Sequence, residues 1–100
     1  MLGNMLNNKL SFNLPFVITK QNKRFVAYTP ALDISTSGRS EKEARKRFAE
    51  LAIVFLEEIF EAKTANEVLS ELGWVKIQKK WTPPKIISSE SIGLKIPTFV

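Results

Sequence analysis

The sequence predicts an α+β fold with two layers: a three-stranded antiparallel sheet, a long helix across it, a short second helix and a further strand. Three observations carry this expectation. Apolar residues alternate through much of the first forty positions, recur every three or four residues from Ala44 to Ala62, and alternate again just after Gly73. Period two marks a half-buried strand, and a period near 3.6 marks a helix with one buried face.

The elements follow in order. Residues 1–9 are Asn-rich, lack periodicity and read as a flexible lead-in. Leu10, Phe12, Leu14, Phe16 and Ile18 then share one side of a strand. Pro15 within it lacks an amide proton and suits an edge or a bulge. A polar turn, Lys20 to Lys23, leads to a second strand, Arg24 to Thr29, paired as a hairpin. Pro30 ends that strand, and Leu32 to Ser37 forms a short third one before Gly38. Ser40-Glu41-Lys42-Glu43 is a capping box: the hydroxyl accepts an amide proton at the helix start and Glu43 reaches back. The helix runs from about Glu41 to Ala62, with Ala44, Phe48, Leu51, Phe55, Ile59 and Ala62 as its stripe. Ala49, Ala52, Ile53, Leu56 and Phe60 widen that stripe until only a narrow polar face remains. Such a helix needs cover from the chain's own C-terminal part or from a second copy. Thr64-Ala65-Asn66-Glu67 is a second capping box, opening a short helix that Gly73 stops. Trp74 to Gln78 reads as a last core strand. Pro83-Pro84 then forces an extended path. The domain is expected over 10–78. Residues 79–100 form an extended apolar and basic tail, docking on its own or on a partner subunit.

At 100 residues the chain has room for one domain and one modest core, which favours a homodimer or higher homo-oligomer. The absence of cysteine and histidine removes thiolate chemistry, zinc–cysteine sites, the usual general base and the commonest metal ligand. The net charge of +5 is uneven: residues 1–40 carry +4, residues 41–71 carry −3 and residues 72–100 carry +4. The basic balance admits nucleic acid or an acidic partner. No export signal or membrane span is visible, so the expected location is the cytoplasm, away from any membrane.

Few residues are placed for chemistry. Asp33 is the single aspartate, and the glutamates lie mostly on exposed helical faces, so no carboxylate cluster for metal-assisted cleavage is expected. The glycines are isolated and build no phosphate loop. No catalytic residue, metal or cofactor is therefore assigned. Glu41–Arg45, Glu43–Arg47 and Lys46–Glu50 are four apart and suit support within the helix. Glu57, Glu58, Glu61, Glu67 and Glu71 form the densest run of one sign, at a helix end where acids oppose the macrodipole. They are the candidates for an electropositive partner, with Trp81 as an aromatic anchor. Lys76, Lys79, Lys80 and Lys85, interleaved with Trp74 and Trp81, are the candidates for an alternative nucleic-acid surface.

The run Phe16-Val17-Ile18, then Phe25-Val26-Ala27-Tyr28-Thr29-Pro30-Ala31-Leu32-Asp33, then Ser37-Gly38-Arg39-Ser40-Glu41-Lys42-Glu43-Ala44 and the apolar helix, resembles the HicB-like antitoxin family. The likeness covers about residues 12–62. Leu72-Gly73-Trp74 and Trp81-Thr82-Pro83-Pro84, with the Ile-rich tail, look like a short branch without a C-terminal DNA-binding domain. The resemblance implies a degraded ribonuclease-H-like fold and no catalysis. It implies a partner, a small basic HicA-like toxin protein that cleaves RNA and is occluded by binding. Its expected toxin-facing residues are the five glutamates and Trp81. The other readings are a small nucleic-acid-binding module, an orphan HicB-like protein without toxin, and a vestigial nuclease.

Overall fold

A computed structural model describes residues 11–98. The lead-in over 1–9, the strand start at Leu10 and the apolar end at Phe99 and Val100 lie outside the described residues. The chain is α+β. Strands β1 (Val17–Gln21), β2 (Arg24–Thr29) and β3 (Ile34–Gly38) precede helices α1 (Glu41–Glu61) and α2 (Ala65–Glu71). Strands β4 (Val75–Ile77) and β5 (Lys80–Thr82) follow. The first three strands form one antiparallel sheet in the order β1-β2-β3, and β4 and β5 form a second, two-stranded sheet.

Register fixes which side of the main sheet is covered. Ala27 lies opposite Ile18 on one neighbour and Thr36 on the other, and Phe25 lies opposite Gly38. These residues share the face that α1 covers, and Ala27, Thr29 and Gly38 are buried there. From α1 the core takes Ala44, Phe48, Ala52 and Ile59, at helical spacing. Leu51 and Ala62, expected in that stripe, are exposed. Gly38 has a packing reason: a Cβ there would sit 2.6 Å from the Ala44 amide nitrogen. The strand end and the helix start touch backbone to backbone.

The first strand is shorter than its alternation suggests. Pro15 offers no amide proton to a ladder, and its carbonyl instead accepts the Thr29 hydroxyl at 2.6 Å. The same hydroxyl oxygen accepts the Ala31 amide. Residues before Val17 run along α1 unpaired, with Phe16 stacked on Phe48 (4.8 Å) and Phe12 near Phe60 (6.1 Å). Their period-two pattern is real, but the helix rather than a strand is what they face. The third strand also starts later than expected, at Ile34, because Leu32 and Asp33 turn the chain, Asp33 with φ 54°.

Both helices end alike. The Thr64 amide donates to the Ile59 carbonyl and the Lys63 amide to Phe60, while Trp74 and Gly73 repeat this with Leu69 and Ser70. These are Schellman ends, which need a left-handed residue: Lys63 at φ 59° in one, Gly73 at φ 89° in the other. The first capping box forms, with the Glu43 amide donating to Ser40 Oγ at 3.1 Å. The Glu43 carboxylate reaches past the cap to the Arg39 amide, at 2.9 Å. The second box does not form. Thr64 is already committed to closing α1, its φ −105° and ψ 3° are not the extended geometry of a cap, and its hydroxyl donates to Ile59 instead.

The expected last core strand is corrected. Trp74 is buried and its indole donates to the Ala31 carbonyl at 2.7 Å, but β4 then leaves the core. Val75 and Ile77 are exposed, and among the described residues β4 pairs only with β5, across a turn at Gln78 and Lys79. Beyond Thr82 the chain is irregular and extended. Ile87, Ile92, Leu94 and Ile96 are exposed, so the chain's own domain does not cover the tail. The molecule measures 69 × 29 × 22 Å, with a radius of gyration of 17.5 Å. A compact chain of this length would have about 13 Å.

Candidate interaction surface

The topology gives the molecule two ends of different charge. The pairs Gln21–Arg24 and Phe25–Gly38 bring the β1–β2 turn and the β3–α1 junction to one end. The α1 C-terminus and α2 lie at the other, separated along α1 by about 31 Å at 1.5 Å per residue.

The basic end is organised around one carboxylate. Arg24 Nε donates to Ser37 Oγ at 3.1 Å, and Arg47 donates to the Ser37 carbonyl at 3.2 Å. Arg47 also sits 3.7 Å from Glu43. The Arg39 amide holds the Glu43 carboxylate below its ordinary pKa, assisted by the positive charges of Arg47, Arg39 and Arg24. Three arginines from β2, a loop and α1 therefore converge on a single glutamate. Sequence reading missed this cluster, because only the Phe25–Gly38 register brings Arg24 to Arg39 and Arg47. Of the intrahelical pairs expected, Glu41–Arg45 forms at 3.3 Å and Glu43–Arg47 forms, while Lys46–Glu50 does not.

At the opposite end Glu57, Glu58 and Glu61 are exposed on the last turns of α1, and Glu67 and Glu71 are exposed on α2. Glu57 and Glu61 are one turn apart, as are Glu67 and Glu71, so each helix presents an acidic row. Among the described residues none of the five is in an ion pair. No basic side chain occupies the last turn of either helix, so the negative helix ends are uncompensated. Lys63 and Lys76 line a shallow cleft beside the rows together with Trp81.

Trp81 is half-buried against the core and carries the Lys76 ammonium 5.5 Å from its ring centroid. Lys79, Lys80 and Lys85 are exposed on or just after the β4–β5 hairpin. Trp74 takes no part in any exposed stacking surface, because its indole is buried, hydrogen-bonded and edge-on to Phe12.

On the outer face of the sheet the Tyr28 hydroxyl donates to Asp33 Oδ1 at 3.0 Å. That bond raises the Tyr28 pKa, because the carboxylate favours the protonated phenol, with burial and the Asp33 charge adding to it. Among the described residues no group of three or more acidic side chains is placed to hold a metal ion. No helix among them is long and apolar enough to cross a membrane.

Compared with protein-family models, curated proteins and solved structures, the chain matches none.

Proposed function

We propose that the chain is a non-catalytic, HicB-like antitoxin of the cytoplasm that binds and occludes a HicA-type ribonuclease toxin. The three-strand, long-helix order is compatible with a pared-down ribonuclease-H-like fold, the architecture this family reading requires. One observation carries the reading furthest. Five carboxylates stand exposed at one end, none of them ion-paired among the described residues, in a chain whose net charge is +5. A protein that grips RNA is positive in its cleft, and an RNA-like row of negative charge competes for that cleft. Trp81, half-buried beside the rows, supplies the apolar contact.

Charges at an interface rim act mainly on the association rate and its salt dependence. The variant Glu57→Lys/Glu58→Lys/Glu61→Lys is therefore expected to slow toxin association at low salt, with a smaller effect at high salt. An unchanged rate at low salt refutes the electrostatic role of these residues. A correctly folded chain that binds no toxin is instead an orphan of the family, or lies outside it.

A second reading rests on the arginine cluster. Arg24, Arg39 and Arg47 outnumber the one carboxylate they surround, and exposed Lys20 and Lys23 lie on β1 and the turn after it, Lys42 and Lys46 on α1. Such an end suits a nucleic-acid backbone better than the scattered lysines 76, 79, 80 and 85. Binding of RNA or DNA by the isolated chain, weakening linearly in log salt and lost in Arg24→Glu/Arg39→Glu, would favour this reading.

A further inference from the structure

We infer that the chain dimerises by arm exchange, with residues 86–98 of one copy lying along α1 of a second copy. Ile92, Leu94 and Ile96 fall at every second position, so an extended arm presents them on one side. They are 80, 76 and 82% exposed, far beyond what single surface leucines and isoleucines need explaining for, because they are contiguous. An open groove of about 440 Å³ runs between the segment before β1 and α1, walled by Leu14, Phe16, Ala49, Ala52, Ile53 and Leu56. Ile53 and its neighbour Val54 are 57 and 50% exposed.

Length and charge both fit. Ile92 to Ile96 spans about 13 Å at 3.3 Å per residue, and Ala49 to Leu56 spans about 10 Å of helix. Glu90 lies about 7 Å from Ile92 on an extended arm, and Arg45, which lines the groove, about 6 Å from Ala49 on α1. Opposite charges meet when the arm runs parallel to α1, with Glu90 at Arg45. Among the described residues Arg45 has only its exposed pair with Glu41 to give up.

The arm's own groove is awkward to reach. Ser11, Phe12 and Leu14 wall this groove on one side and, with Asn13 and Pro15, wall a second groove, whose other side is Trp81 to Ile86 at the base of the arm. An arm turning back onto its own α1 must cross that shared segment, and Pro83-Pro84 stiffens the chain where it would have to bend.

The test uses the full chain and two variants at exposed positions, Leu94→Glu and Ile53→Glu, with circular dichroism to confirm folding. Sedimentation equilibrium at micromolar concentration is expected to give a dimer, weakened about tenfold or more by either substitution. The chain has no cysteine, so Leu94→Cys chains mixed with Ile53→Cys chains are expected to yield mixed covalent dimers with a short bifunctional thiol reagent. A monomeric natural chain overturns the inference. So does a dimer indifferent to Leu94→Glu, or a Leu94→Cys/Ile53→Cys chain that links only within itself.

Discussion

Lys63 and Gly73 occupy equivalent places, each the left-handed residue that closes a helix. A side chain in that conformation costs roughly 1–2 kcal/mol, and glycine's extra freedom in the unfolded chain returns part of the gain. Lys63→Gly is therefore expected to stabilise the fold by about 0.5–1 kcal/mol, read as a higher urea midpoint at unchanged slope. Gly38→Ala should act in the other direction, because its Cβ would press on backbone rather than on a yielding side chain. Glu43 gives a pH signature. Its folded pKa is depressed, so its contribution is present above the range where an unfolded glutamate titrates and is lost as pH falls through the folded value. Urea midpoints of the natural chain and Glu43→Gln should differ at neutral pH and converge in acid. Ser40 and Glu43 announce themselves by their three-residue spacing. Lys63 does not, because nothing in a lysine signals a left-handed turn, and Arg39 becomes a partner of Glu43 only through the backbone path around Gly38.

At the scale of elements, β4–β5 is the least anchored piece. Its strands have three residues each, and Gln78 and Lys79 both hold positive φ in the connecting turn. A two-residue turn of that kind favours Asn-Gly. Gln78→Asn/Lys79→Gly is expected to slow amide exchange in β5 by roughly fivefold, the equivalent of about 1 kcal/mol. The main sheet and α1 were legible because alternation, helical spacing and the Ser40 cap agree on them, while α2 was expected from a Thr64 box that does not form. The hairpin was not, because Gln-Lys carries no turn signal and the alternation from Trp74 mimics a buried strand. The pre-β1 segment misled for a related reason: an extended chain on a helix shows the same period as a strand on a sheet.

The whole molecule is long, polar in charge and partly uncovered. Its acidic helix ends were visible in the sequence as a run of one sign. The arginine cluster was not, since its members come from positions 24, 39 and 47 and meet only through strand register. The apolar arm was legible as the Ile-rich tail, but the groove was not, because the segment before β1 builds it only by lying along α1. The central proposal, occlusion of a ribonuclease, is tested most directly by titrating the full chain into RNA cleavage by a HicA-type ribonuclease. Complete loss of cleavage near one chain per ribonuclease, relieved at low salt by Glu57→Lys/Glu58→Lys/Glu61→Lys, is the expected result. Undiminished cleavage at a large excess of correctly folded chain would contradict it.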